Sequence, residues 1–203
     1  MIDVEHWLTI GGLGVMAIVV FAESGLLLGF FLPGDSLLFI AGFLSSAAGG
    51  HHLPPLPVTA LVAFLAAASG DQVGYLFGRR VGPALFSRPQ SRVFSPANVE
   101  RANGLFERRG PAAVVIARFV PIGRTFVPIV AGVGSMRYRT FVLYNVVGAF
   151  AWGVGITTLG YFLGEIGLIK RNLDYAALVI AGVSIIPILR EIWRAHPHQR
   201  TSP

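Results

Sequence analysis

Long apolar stretches separated by short polar ones make up most of the chain, and two of these stretches are interrupted near their middles. Residues 53–78 and 140–164 run as apolar segments, each long enough for the about 20 residues a helix needs to cross a ~30 Å hydrocarbon core. Residues 173–189 are shorter, and the stems of Arg190 and Arg194 lengthen this third span toward residue 193 by reaching to the interface. Residues 111–136 are broken by Pro121-Ile122-Gly123-Arg124-Thr125. The break leaves arms of about 11 and 12 residues, roughly 16–18 Å each and about half the core. That length fits a re-entrant hairpin with its tip near the midplane. The first apolar region, residues 7–50, is broken in the same way at Leu32-Pro33-Gly34-Asp35-Ser36. Broken backbone at membrane depth is tolerated where it is buried in protein or lines a wet cavity, and two facing hairpins meet that condition for each other. The pattern therefore predicts an all-α integral membrane protein of one domain, with two broken helical hairpins (7–50 and 111–136) and three transmembrane helices (53–78, 140–164 and 173–193).

The polar loop 79–110 carries seven arginines and two glutamates, which places it in the cytoplasm by the positive-inside rule. Within it, Ser95-Pro96 is a helix start, and Val99, Ala102, Leu105 and Phe106 recur at helical spacing. Residues 96–109 are thus expected to form a short amphipathic helix on the inner leaflet. The two halves also repeat weakly: each is a broken hairpin followed by a span, closing on Tyr75-x-x-Gly78 and Tyr161-x-x-Gly164. The spans enter from opposite sides, so the repeat is inverted, an architecture shared by many secondary transporters.

Composition agrees with the membrane reading. The chain is 54 % hydrophobic and only 13 % charged, with a mean hydropathy of +0.67, outside the range of ordinary soluble domains. Its net charge of +6 is scattered between apolar spans, so topology explains it better than nucleic-acid binding does. Asp3 and Glu5 stand where a cleavable signal would be basic. The absence of cysteine excludes disulfides and thiolate chemistry.

Against this background the charges at depth stand out. Arg118 and Arg124 are the only charges in residues 111–136, and Glu23 is the only one in residues 7–31. Each such charge costs about 2.5–3.5 kcal/mol at the bilayer centre on insertion scales. Glu23 and Asp35 balance the two arginines, which predicts a polar site inside the membrane. Asp35 also fits an N-cap of its arm, and Thr125 fits a cap of the other hairpin's second arm. Asp71, two turns before Arg79, fits either the site or an ion pair toward the interface. His51 and His52 read as loop residues, Tyr75 and Gly78 as packing, and Trp7 and Trp193 as interfacial anchors.

Glu23 with Phe31-Leu32-Pro33-Gly34-Asp35-Ser36, then Gly70-Asp71-x-x-Gly74-Tyr75-x-x-Gly78-Arg79, then Arg118-Phe119-x-Pro121-x-x-Arg124-Thr125-Phe126-x-Pro128-x-x-Ala131-Gly132, closely resemble the DedA family of bacterial inner-membrane proteins, part of the VTT or SNARE-associated superfamily. The resemblance runs from about Glu23 to Gly164. It implies translocation of polyprenyl phosphate or phospholipids, dependence on the proton motive force, and essential roles for Glu23, Asp35, Arg118 and Arg124.

The function expected is a lipid translocase of the bacterial cytoplasmic membrane, not an enzyme. Arg118, Arg124 and Thr125 would bind a phosphate head group, because guanidinium forks match phosphate oxygens. Glu23, Asp35 and Asp71 would couple binding to protons or monovalent cations by competing for the arginines. No metal or cofactor is expected, and a homo-oligomer is compatible with the sequence. A proton-coupled small-cation or drug exchanger is the alternative. An intramembrane lipid phosphatase fits less well, because no histidine or serine–histidine arrangement lies at depth.

Overall fold

The computed structural model describes residues 4–25, 34–86, 110–134, 136–164 and 166, and all regular structure among them is helical. Helix α1 (Val4–Gly25) bends at Gly12, whose φ of 53° lies in the left-handed region that glycine enters without steric cost. Helix α2 is Gly34–Leu44 and α3 is Leu56–Phe86. A 3₁₀ turn (Gly110–Ala112) leads into the short α4 (Ala113–Ala117), followed by α5 (Pro121–Val133). Helix α6 (Tyr138–Leu163) is continuous but contains a π-helical turn, Phe150–Val154. The expected amphipathic helix at 96–109, the third span at 173–193, Trp193 and the side chain of Trp7 lie outside the description.

Three boundaries differ from the sequence expectation. The break within residues 111–136 lies at residues 118–120, before Pro121. Proline forces its predecessor out of the helical region, and Val120 is extended (φ −118°, ψ 115°). Pro121, with no N–H to leave unsatisfied, then opens α5 at its first position. The first arm is consequently much shorter than the second. Helix α3 begins after the Pro54-Pro55 pair and continues beyond Gly78 to Phe86, carrying Arg79 and Arg80 exposed on its last turns.

Helix α3 is the common support, and its glycines explain why. A Cβ on Gly25 would lie 2.6 Å from the carbonyl of Gly70, so the end of α1 touches α3 backbone to backbone. One turn on, Gly74 faces Pro128 and Ile129 of α5, and a further turn on, Gly78 meets the Ile129 backbone. The run Gly70-x-x-x-Gly74-x-x-x-Gly78 is thus a strip of small residues of the kind that lets helices approach closely in lipid. Tyr75 on this helix stacks on Phe141, with ring centroids 4.4 Å apart, and its hydroxyl donates to the Met136 carbonyl.

The same crossing occurs twice. Gly132 of α5 lies against Tyr75 and Arg79 while Gly78 lies against Ile129; Gly42 of α2 lies against Thr157 and Tyr161 while Gly160 lies against Phe39. Each second arm therefore packs on the long helix of the other half. This sets the register of the repeat as Gly78 with Gly160, and not with the Gly164 of the second Tyr-x-x-Gly. The match that counts is the glycine at the crossing, not the likeness of the closing residues.

Polarity is arranged inside out. Leu143 and Phe162 are 62 % and 60 % exposed, and Leu61, Leu65, Phe150 and Leu159 are also exposed, while Glu23 is 0 % exposed and Asp35, Asp71, Arg118, Arg124 and Asn145 are buried. Water would reward the reverse; a hydrocarbon surround rewards this one. Among the described residues two helices, Leu56–Val81 within α3 and Tyr138–Leu163, are long and apolar enough to cross a membrane.

Gly132→Val and Gly42→Val should each destabilise the protein by about 1–3 kcal/mol through overpacking. Gly155→Ala, where nothing lies within 4 Å of the added Cβ, should not. Thermal unfolding in detergent, followed by loss of the monodisperse size-exclusion peak, measures both, and equal melting temperatures for all three variants would contradict the crossing geometry.

Candidate functional site

Helices α1, α2 and α5 meet at one guanidinium. Arg124 lies in the first turns of α5, its own N–H bonded to the carbonyl of Val120 at 2.9 Å. Its Nη1 donates to Asp35 Oδ1 at 2.8 Å, and its Nη2 donates to Glu23 Oε1. Asp35 is in the first turn of α2, where the helix dipole favours a carboxylate. Glu23 is in the last turn of α1, where the dipole opposes one, so the arginine is what holds it. Gly34 makes the contact possible: any Cβ there would collide with the Glu23 carboxyl group.

Arg118 belongs to the break itself. Its Nη1 donates to Asp71 Oδ2 on α3 and to Asn145 Oδ1 on α6, the latter at 3.0 Å. Asn145 in turn donates from its amide nitrogen to the carbonyl of Ala68 at 3.0 Å, which fixes its orientation. Trp152 lies near both arginines. Its indole N–H donates to Asp35 Oδ1 at 2.7 Å, and its ring centroid is 5.2 Å from the guanidinium carbon of Arg124 and 5.6 Å from that of Arg118. Both distances lie within the range of cation–π attraction.

All the charged site residues expected from sequence come together here, but the pairing is different. Asp71 joins Arg118 rather than pairing toward Arg79. Asp71, Tyr75 and Gly78 recur at i, i+4 and i+7 on the buried face, whereas Arg79, one step further round the helix, is exposed. Three carboxylates thus face two guanidiniums, a formal charge of −1 where two against two was expected. Thr125 is buried inside α5 and does not cap it, since the N-cap position is Val120. The shift that carries Phe39 and Gly42 onto Ile129 and Gly132 also carries Asp35 onto Thr125, so the two occupy equivalent places in the repeat.

Four atoms of the network are buried without a hydrogen-bond partner: Arg118 Nε, Arg124 Nε, Glu23 Oε2 and Asp71 Oδ1. A buried polar atom left unpaired costs about 1–3 kcal/mol, more when charged. The network therefore holds unused donors and acceptors of both signs.

Asn145 and Trp152 were missed in the sequence reading, though both carried a signal. Asn145 is the single amide side chain in residues 140–164. Trp152 sits in mid-span, away from the interfaces that tryptophan prefers. The π-helical turn that carries Trp152 had no sequence signal. His51 and His52 are exposed in the α2–α3 turn. A cleft of about 890 Å³ opens there beside Tyr161, and no network residue lines it. Among the described residues no cluster of three or more His, Cys, Asp or Glu side chains could hold a metal ion.

The VTT domain family model matches residues 32–162. An uncharacterized membrane protein of Mycobacterium tuberculosis (strain H37Rv) is 41 % identical over 216 aligned residues, spanning 100 % of this chain and 91 % of that protein. Protein DedA of Escherichia coli K12 is 41 % identical over 188 residues, 93 % of this chain and 84 % of DedA. Inner membrane protein YqjA of the same strain is 34 % identical over 179 residues, 86 % of this chain and 76 % of YqjA. No solved structure matches the chain. The family model covers well over half of the sequence and DedA aligns with nearly all of it, so the chain is a membrane protein of the VTT domain family, similar to DedA.

Proposed function

We propose that this protein translocates a phosphate-headed lipid, such as polyprenyl phosphate or a phospholipid, across the bacterial cytoplasmic membrane, with transport coupled to a proton or cation gradient. The observation that carries the reading is the pair of buried guanidiniums beside one indole ring, each with an unpaired Nε donor. Guanidinium forks suit tetrahedral oxyanions, and a head group held there would leave its tail in the bilayer. In this reading α1–α2 and α4–α5 are two re-entrant hairpins of an inverted repeat. Helices α2 and α5 have 11 and 13 residues, so at ~1.5 Å per residue neither spans a ~30 Å core. Both bring charged residues of their N-terminal turns to the network, the ends at which free N–H groups favour anions.

The excess negative charge supplies the coupling. With three carboxylates on two guanidiniums, an incoming phosphate meets arginines already occupied by acids. A proton on one carboxylate brings the network to neutrality and loosens its hold on the guanidinium. Glu23 is the group we assign to this proton: it shares Arg124 with Asp35, sits at the unfavourable end of α1, and has an unpaired Oε2. Asp71 and Asp35 complete the acidic set, and Thr125, buried next to Arg124 in the sequence of α5, completes the binding set in this reading. A second reading, a proton-coupled small-cation or drug exchanger, is favoured by that same excess of carboxylate. We propose transport rather than phosphate hydrolysis because the network is built from acids, arginines, an amide and an indole, without the nucleophile–base pairing hydrolysis uses.

Arg124→Lys should cut the translocation of a fluorescent lipid phosphate in proteoliposomes at least about tenfold, although charge is kept, because an ammonium cannot make the fork. A near-parental rate would show that charge balance alone is required, and cation flux without lipid movement would select the exchanger. Glu23→Gln keeps volume and an acceptor for Arg124 while removing one negative charge. It should fold, bind the lipid phosphate, and transport at a rate indifferent to an imposed pH gradient. A poorly folded variant whose residual transport still follows the gradient would make Glu23 a structural counter-ion.

A further inference from the structure

We infer that Trp152 is a positioning residue that joins Arg118 and Arg124 into one anion site. The inference rests on the phosphate reading of the network. Two guanidiniums repel each other, and in a low-dielectric surround that repulsion is felt strongly. The electron-rich face of an aromatic ring is one of the few apolar groups that attracts a cation, and a single indole here lies within 6 Å of both guanidinium carbons. The same side chain donates its only N–H to Asp35 Oδ1, the oxygen that also accepts from Arg124. Trp152 therefore touches both arginine sets, whereas Asn145 serves Arg118 alone.

The surroundings of Trp152 hold it in this place. It lies in the π-helical turn of α6, where the ladder admits one extra residue per turn and side chains are re-aimed. Its neighbour Phe150 is 59 % exposed and packs edge-on against Phe64, at 6.1 Å and 77°, while Trp152 is turned fully inward. Gly153 lets the turn approach α3, since a Cβ there would already lie 3.2 Å from the Phe64 nitrogen. Thr157 donates to the Gly153 carbonyl at 2.7 Å, so this carbonyl is satisfied despite the irregular turn. Without the ring, each arginine would relax onto its own acids, and one phosphate could no longer engage both.

The test uses the full-length protein in lipid nanodiscs with Trp7→Phe and Trp193→Phe, which leaves Trp152 as the only tryptophan, and dodecyl phosphate as the probe. A saturable change in Trp152 emission is expected with dodecyl phosphate and not with the uncharged dodecyl maltoside, and Arg124→Gln should abolish it. Trp152→Phe, which keeps a ring face but loses the N–H, should hold the dissociation constant within about threefold by calorimetry. Trp152→Leu should raise it at least tenfold. Calorimetric binding of dodecyl phosphate without any emission change, or equal affinities for the Phe and Leu variants, would overturn the role of Trp152 and leave the phosphate reading intact. Absence of calorimetric binding to the parent protein would overturn the phosphate reading and this inference with it. The emission measurement needs no substitution at Trp152, so it decides the matter even if Trp152→Leu does not fold.

Discussion

The structure turns on one guanidinium with two carboxylates. Arg124 ties the end of α1, the start of α2 and the first turns of α5 to a single point, and none of these three ends is otherwise suited to the membrane interior. Removing one partner from a buried pair costs about 3–5 kcal/mol because a charge is left without compensation. Replacing the whole set with well-packed apolar groups would carry no such cost, and would often stabilise. A network of this composition is therefore poor scaffolding. The unpaired Nε and carboxylate oxygens show the same thing at atomic detail: the set is held together without being saturated.

What brings the charges together is mostly the absence of side chains. Gly70, Gly74 and Gly78 let α1 and α5 press onto the same strip of α3, and Gly34 leaves room for the Glu23 carboxylate. Because lipid tails are as apolar as leucine, helices in a bilayer gain little from hiding hydrophobic surface and much from close contact. The leucines and phenylalanines exposed on α3 and α6 are consistent with this, since they face outward while Ala60, Ala63, Ala66 and Ala67 of α3 are buried.

Much of this was legible in the sequence because membranes make polar residues conspicuous. Glu23, Asp35, Arg118 and Arg124 could be singled out from the apolar runs around them, and Pro121 marked the interruption within residues 111–136. The break itself was misplaced by a few residues, because Pro121 starts a helix here instead of interrupting one. Asp71 is conspicuous in the sequence but its partner is not, since choosing between Arg79 and Arg118 needs the rotation of α3 relative to its neighbours. Asn145 and Trp152 stand out in the apolar span as single unusual residues, but that signal names no partner for either. Only the tertiary arrangement, with a π-helical turn that no residue pattern announces, reveals that Trp152 faces inward.

The exchange of arms between the halves has a consequence for how the protein is made. Helix α2 lies on α6, and α5 lies on α3, so the first half leaves the ribosome with α2 lacking its seat and two acids lacking their arginine. Neither can be supplied until α5 and α6 have been synthesised and inserted. Insertion and folding are thereby separated in time, and the early segments must wait in the bilayer, or in the care of the insertion machinery, until the second half arrives. Neither half completes its own packing, so the order of synthesis sets the order in which these contacts can form.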